Sequence, residues 1–218
     1  DLAAVAAKQM KKLIHVSNLY ATEPGVALAQ RMVSDINTAI PEKTYQAIHF
    51  GNSGTEAMEA ALKYARRFST NRNGKKATGF IAFTGSFHGR SMGALSITST
   101  EKYRSPFEPL IPGVRFLPYN DPDALHAALK KDSNVAAIIL EVIQGEGGLT
   151  SASPSFISSI RQEADSRGIP VIVDEIQTGL GRTGRLLACQ GTDLKPDIIC
   201  MSKPLAGGLP LSATIITE

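Results

Sequence analysis

Residues 168–210 read GIPVIVDEIQTGLGRTGRLLACQGTDLKPDIICMSKPLAGGLP. In this stretch an apolar run over residues 170–173 ends on Asp174, and a second run over residues 197–201 ends shortly before Lys203. Short apolar runs bounded by turn residues are typical of buried parallel strands. Ligands of open α/β sheets bind at the carboxyl ends of such strands. We therefore expect Asp174 and Lys203 to lie together at one edge of a sheet.

A carboxylate and an amine at one sheet edge suit the chemistry of pyridoxal phosphate (PLP). Lysine forms a Schiff base with a carbonyl cofactor, and aspartate keeps a pyridine nitrogen protonated so that the ring accepts electrons. The alternative is that Asp174 and Lys203 are solvated loop charges, and strand ends taken alone favour that alternative. The surrounding motifs decide between the two interpretations.

The segments DEIQTGLGRTG (residues 174–184) and SKPLAGGLP (residues 202–210) resemble the signature of class III PLP-dependent aminotransferases. Within this class the chain is most similar to the acetylornithine aminotransferases. The resemblance implies that Lys203 carries PLP as a Schiff base, that Asp174 holds the ring nitrogen and that Gln177 contacts the phenolic oxygen. Proline follows the lysine here where the class commonly has alanine, and a loop tolerates that change.

A second motif, NSGTEA at residues 52–57, follows a strand candidate at residues 45–50 and precedes a helical pattern that starts at Glu56. Free N–H groups and the positive end of the helix dipole make such a turn an anion site. Ordinary N-capping by serine or threonine is the alternative. Similarity to the phosphate turn of the class implies a cradle for the cofactor phosphate made of Ser53, Gly54 and Thr55.

A third motif, Phe87-His-Gly-Arg90, follows a strand candidate at residues 79–84. An aromatic side chain at a strand end can stack on a pyridine ring, and core packing is the alternative. The resemblance implies that Phe87 lies against the cofactor ring and that Arg90 binds a substrate carboxylate, which the planar guanidinium suits. Otherwise Arg90 is a plain surface charge. We interpret His88 as structural.

A fourth motif, QGEGG at residues 144–148, follows an apolar strand candidate at residues 135–142. The resemblance implies that Glu146 pairs with an arginine from a C-terminal part and controls which substrate end enters the site. The alternative is an acid in a turn, without a role in binding.

Strand and helix patterns alternate along the chain, which predicts an α/β fold with a mostly parallel sheet and helices on both faces. By resemblance this is the large domain of a fold-type I PLP enzyme. We expect residues 1–40 to form a helical segment near a dimer interface and residues 41–218 to form the PLP-binding domain. Members of the class are as a rule about twice as long, so we expect an N-terminal segment and a small C-terminal domain to be missing.

The composition narrows the possible partners of the chain. A net charge of +3 without basic blocks does not indicate a nucleic-acid partner, and no apolar run reaches the length of a membrane span. The two cysteines, Cys189 and Cys200, form no CxxC pattern, which favours free thiols in a reducing compartment and predicts no metal site.

The function implied by the resemblance is transfer of an amino group from N-acetylornithine to 2-oxoglutarate through PLP, a step of arginine biosynthesis. A small-molecule amino donor, a 2-oxo acid and a second copy of the chain are the expected partners. Ornithine or 4-aminobutyrate aminotransferase, and a PLP-fold fragment without activity, are the alternatives. The expected compartment is the mitochondrial matrix for a fungal source, which the wording KPLAGGLP favours, and the cytoplasm for a bacterial one.

Overall fold

Seven strands form one sheet in a computed structural model that describes residues 1–17, 19–73 and 77–217. In chain order the strands are β1 Tyr45–Gly51, β2 Gly79–Phe83, β3 Val114–Leu117, β4 Val135–Leu140, β5 Ile143–Gln144, β6 Thr150–Ser151, β7 Val171–Asp174, β8 Ile198–Met201 and β9 Ser212–Thr217. Strands β5 and β6, of two residues each, pair with each other and lie outside the seven-stranded sheet. The helices are α1 Leu2–Lys12, α2 Glu23–Ala39, α3 Gly54–Asn73, α4 Met92–Ser96, α5 Glu101–Arg104, α6 Pro122–Lys131 and α7 Pro154–Arg167, with a 3₁₀ turn at Ser105–Phe107.

The strand directions place the ligand-binding edge. The sheet order is β1-β9-β8-β7-β4-β2-β3, and every neighbouring pair from β8 to β3 is parallel. Strand β9 runs antiparallel to both β8 and β1, so β1 points in the same direction as β8. Six of the seven strands therefore direct their carboxyl ends to one edge, and the predicted mostly parallel sheet is confirmed.

Helices cover both faces of the sheet because side chains of the strands alternate between two cores. On β2, Ile81 and Phe83 belong to one core cluster with side chains of α2, α6 and α7. The intervening Phe80 and Ala82 belong to the other cluster, with small residues of α3 and with α4. Strand side chains point alternately to opposite faces, so an almost entirely apolar strand is a strand buried on both sides.

Local sequence sets the helix ends. The hydroxyl of Ser153 accepts from the N–H of Phe156 at 3.2 Å and Pro154 occupies the first turn of α7, which are the usual starting residues. Gly168 ends that helix with a left-handed φ of 61°. Helix α3 starts at Gly54 instead of the predicted Glu56, because the carbonyl of Ser53 already accepts from Ala57 N–H at 3.1 Å.

The N-terminal helices differ in how they attach to the sheet. Helix α2 buries Met32 and Ile36 in the main core, whereas α1 buries none of its side chains. Residue 18 of the segment expected near a dimer interface (residues 1–40) lies outside the described residues, and the next two, Leu19 and Tyr20, are exposed. Among the helices of the described ranges, none is both long enough and apolar enough to cross a membrane. Cys189 and Cys200 are both buried free thiols.

Candidate active site

The turns after β1, β2, β4 and β8, together with the end of β7, contribute side chains to one cavity at the shared edge. The cavity measures about 200 Å³. Among the predicted site residues it brings together Gly54, Thr55, Phe87, Asp174, Gln177 and Lys203. It is also lined by residues to which the sequence interpretation gave no part in binding or catalysis, namely His88, Gly89, Glu141, Ile176 and Ser202.

Asp174 is held in a buried, well-defined position. Its Oδ1 accepts from the N–H of Ile176 at 3.0 Å, and its Oδ2 lies 2.8 Å from Nδ1 of His88. Burial lowers the pKa of His88, but the hydrogen bond and negative charge of Asp174 outweigh that effect, and the net pKa is raised. The 2.8 Å contact therefore favours the protonated form of His88, whose Nε2 is buried with no hydrogen-bond partner among the described residues.

Lys203 presents its amine to the cavity from the loop after β8. The residue is exposed, and its Nζ donates to Oε1 of Gln177 at 2.7 Å. Two hydrogen bonds shape the loop: Leu205 N–H donates to the Ser202 carbonyl at 2.7 Å, and the Ser202 hydroxyl donates to the Leu211 carbonyl at 2.9 Å. The amine is consequently directed toward Gln177, next to the carboxylate-bearing end of β7.

Glu175 anchors the loop that carries Gln177. Its side chain is buried, Oε1 accepts from the N–H of Cys189 at 2.9 Å, and Oε2 accepts from the hydroxyl of Thr178. Burial raises the pKa of this carboxyl, and the hydrogen bonds that it accepts lower it by less. One buried acid therefore ties the Thr178 hydroxyl and the Cys189 N–H of the loop to the end of β7.

We expect Glu175→Leu to destabilise the protein by about 3 kcal/mol, because a buried hydroxyl and a buried N–H lose their acceptor. Urea unfolding of the variant and of the unchanged protein measures the difference. The same substitution at the exposed Glu42 is the matched control, with an expected change within about 0.5 kcal/mol. A Glu175→Leu protein as stable as the Glu42→Leu protein would contradict this role.

The N-terminus of α3 lies at the turn for which the sequence predicts an anion site. The first N–H groups of a helix have no intrahelical acceptor, and Gly54 and Thr55 line the cavity at that point. A Cβ at Gly54 would lie 2.8 Å from the side chain of Ile176, so glycine lets this turn and the end of β7 approach each other. The Thr55 hydroxyl lies 2.6 Å from that of Ser91 and accepts from its N–H at 3.2 Å.

Three predicted site residues do not line the cavity. Ser53 lies just before α3, where its hydroxyl is 3.4 Å from the N–H of Glu56. Arg90 is exposed, and its guanidinium stacks 3.7 Å from the ring centre of Tyr103. Glu146 is exposed in the turn before β6. Their predicted roles in binding remain predictions.

Glu141, the residue that follows β4, is a buried acid of the cavity. Its Oε2 accepts from the N–H of Phe87 at 3.2 Å. Burial raises its pKa to about 7; the charge of His88 opposes this shift and the charge of Asp174 adds to it. The sequence could have indicated Glu141 as a site residue, because it directly follows a buried strand. An acid at the end of a buried strand is the same pattern that indicated Asp174.

A larger cavity of about 630 Å³ adjoins the first and shares Gln177 and Lys203 with it. Of its other lining residues, Arg182 is charged. The rest are uncharged, namely Ile143, Gly145, Leu149, Thr178, Thr183 and Pro204. Lys203 therefore lines both a small cavity and a wider one whose volume is typical of small-molecule sites.

The family model described as Aminotransferase class-III matches residues 1–218. The chain belongs to the class III aminotransferases. Enzymes of this family depend on PLP. The acetylornithine aminotransferase of Alnus glutinosa, named mitochondrial, is 45% identical over 221 residues, covering 100% of this chain and 47% of that protein. The acetylornithine aminotransferase of Methanopyrus kandleri is 44% identical and covers 97% of this chain and 51% of that protein.

Solved structures place the fold in the same family. The crystal structure of N-acetylornithine aminotransferase from Stenotrophomonas maltophilia superposes with a TM-score of 0.81 at 32% identity, covering 100% of this chain and 52% of that chain. The chain thus spans about half the length of these class III aminotransferases. Fungal relatives are also named mitochondrial, whereas archaeal and bacterial ones carry no compartment in their names.

Proposed function

We propose that this chain is the cofactor-binding part of an aminotransferase that moves an amino group from N-acetylornithine to 2-oxoglutarate. The observation that carries the proposal is the arrangement of a buried Asp174–His88 pair and the Lys203 amine around one cavity. Family membership supports the reaction class, and the names of the relatives support the donor. By its substrate the reaction belongs to arginine biosynthesis.

The residues of the cavity fit PLP in chemical type. The N–H groups of the α3 turn suit a phosphate, Phe87 and Ile176 suit the two faces of an aromatic ring, and Asp174 suits a protonated ring nitrogen. The Lys203 amine suits an aldehyde, and Gln177 is within hydrogen-bond distance of that amine. The residues that would hold the cofactor are Ser53, Gly54, Thr55, Phe87, Asp174, Gln177 and Lys203.

When bound, the cofactor supplies an electron sink that stabilises negative charge on the substrate carbon. Asp174 would keep a proton on the ring nitrogen, and its 2.8 Å contact with Nδ1 of His88 holds the carboxyl group in place. The Lys203 amine would act first as a general base, which takes the proton from the substrate carbon, and then as a general acid, which donates a proton to form the product. Gln177 directs that amine by accepting its hydrogen bond.

Substrate recognition is proposed for two exposed residues. Arg90 would bind a carboxylate of the donor or of the 2-oxo acid through its planar guanidinium. Glu146 would pair with an arginine outside this chain and select which end of the substrate enters. The cavity of about 630 Å³ beside Lys203 gives the substrate a path to the amine.

We further propose that the protein is a homodimer with residues 1–40 near its interface and residues 41–218 as the cofactor-binding domain. Support comes from apolar side chains that stay exposed on α1 and the following segment, which include Leu2, Val5, Ile14, Leu19 and Tyr20. A mitochondrial compartment is proposed for a fungal source and a cytoplasmic one for a bacterial source, in keeping with the names of the relatives.

A substrate panel tests the donor. With 2-oxoglutarate as acceptor, we expect the full-length protein to show a kcat/KM for N-acetylornithine at least about 10-fold above those for ornithine and 4-aminobutyrate. A site that binds a polar substrate group discriminates by at least this factor when the group is changed. A preference for ornithine or 4-aminobutyrate would replace the proposed donor by that compound, and no transfer from any donor would favour a PLP-fold protein without activity.

A further inference from the structure

Glu141 occupies a position that the proposed mechanism does not use. It follows the carboxyl end of β4, it is 5% exposed, and it lines the same cavity as Phe87 and Asp174. Two titratable groups face its carboxyl, namely His88 from the turn after β2 and Asp174 from the end of β7. Tyr119, which follows β3, donates its hydroxyl to the Glu141 carbonyl at 2.8 Å, so the backbone here is also fixed.

One hydrogen bond connects this acid to the proposed ring-stacking residue. Oε2 of Glu141 accepts from the N–H of Phe87 at 3.2 Å, and the next residue, His88, makes the 2.8 Å contact with Asp174. A single carboxyl therefore contacts the peptide that carries the aromatic ring and influences the imidazole that supports the buried aspartate.

We propose that Glu141 is a positioning residue of this site, whose carboxyl holds the Phe87 peptide in place and whose charge acts on the buried His88–Asp174 pair in the same cavity. The inference deepens the proposed function, since it assumes that Phe87 and Asp174 serve a cofactor. The hydrogen bond and the charge are separable, because glutamine keeps an acceptor oxygen without the charge and leucine keeps neither.

The charge of Glu141 changes near neutral pH. Burial raises its pKa to about 7, and the charge of Asp174 adds to the shift while that of His88 opposes it. Glu141 is among the groups that raise the pKa of His88 against the effect of burial. As the pH rises through about 7, Glu141 ionises and its charge favours the protonated imidazole more strongly.

The first experiment follows the His88 imidazole by NMR in full-length protein labelled with ¹⁵N-histidine, without cofactor, and assigns its signals with His88→Asn. We expect Glu141→Gln to lower the titration midpoint of His88 by about one pH unit, the shift typical of a lost neighbouring charge. The matched control is Glu163→Gln, which removes the carboxylate 2.6 Å from His126 Nδ1 in a surface pair. That control should leave the His88 midpoint unchanged.

The second experiment titrates each variant with PLP and follows visible absorbance. We expect Glu141→Leu to weaken PLP binding by about 10-fold, because the Phe87 N–H loses its acceptor, and Glu141→Gln to weaken it by less than about threefold. An unchanged His88 midpoint in Glu141→Gln, or equal PLP affinities for the two variants, would overturn the proposal. If Glu141→Leu does not fold, the His88 midpoint in Glu141→Gln decides alone.

The two readouts also separate this inference from the proposed function. If the unchanged protein fails to bind PLP, the proposed function is wrong. In that outcome the His88 titration still decides whether Glu141 controls the charge of the buried pair.

Discussion

Replacing Lys203 with alanine is expected to abolish the visible absorbance change on adding PLP and to lower the transamination rate by at least about 10⁴-fold. The rate loss is at the upper end for a missing general acid and base, because the same amine also holds the cofactor. The expectation follows from the position of Nζ, which lies 2.7 Å from Gln177 at the carboxyl edge that also holds Asp174. Absorbance spectra and a coupled assay on the full-length protein measure both effects.

Two controls separate the loss of the Lys203 amine from a general loss of structure. Lys203→Arg keeps a positive charge but cannot bond to an aldehyde in the same way, so it should be as inactive as Lys203→Ala. Lys130→Ala removes an exposed lysine at the end of α6 and should leave the spectrum and the rate unchanged. Retention of the PLP absorbance change in Lys203→Ala would assign the covalent site to another residue.

Asp174→Asn is expected to lower kcat by about 10²–10³-fold while PLP still binds. This is the typical cost of removing one group that stabilises charge developed in the reaction. Asparagine fills the same volume and can still accept from the N–H of Ile176, but it cannot keep a proton on the facing ring nitrogen. Steady-state kinetics and the absorbance titration with PLP distinguish the lost charge from lost binding.

The matched control for this charge is Asp193→Asn. Asp193 is exposed, and its carboxylate lies 3.3 Å from the Ser158 hydroxyl, on a part of the chain that does not line the cavity. Its kcat should equal that of the unchanged protein. An Asp174→Asn protein with a kcat within about threefold of normal would exclude the proposed role of Asp174.

The fold could be predicted from the sequence because its strands carry a strong local signal. The apolar runs that become β7 and β8 are buried on both faces, and strands buried in this way are parallel in α/β folds. Parallel strands share a carboxyl edge, so the two apolar runs were enough to predict that Asp174 and Lys203 lie at the same edge of the sheet. The reversed direction of β9 did not follow, since pairing direction depends on the chain path and not on the composition of one strand.

The charged groups around Asp174 were predicted incompletely. His88 was interpreted as structural, yet its Nδ1 lies 2.8 Å from the carboxylate of Asp174. That contact joins residues 86 positions apart, and a histidine within a turn carries no local sign of its partner. Glu141 did carry a sign, because it follows a fully buried strand at the same edge as Asp174.

The predicted substrate residues show a different limit of sequence interpretation. Arg90 and Glu146 were assigned from resemblance alone, and both are exposed and outside the cavity lining. Nothing in the composition of their turns indicates a ligand. Arg90 stacks on Tyr103, and this contact depends on how α5 packs beside the turn.

A crystal structure of the full-length protein with PLP tests the central claim most directly. We expect electron density continuous from Nζ of Lys203 to the cofactor, with the ring between Phe87 and Ile176 and its nitrogen roughly 2.7–3.2 Å from an Asp174 oxygen. Density joined to a different lysine, or a ring nitrogen that faces away from Asp174, would contradict it.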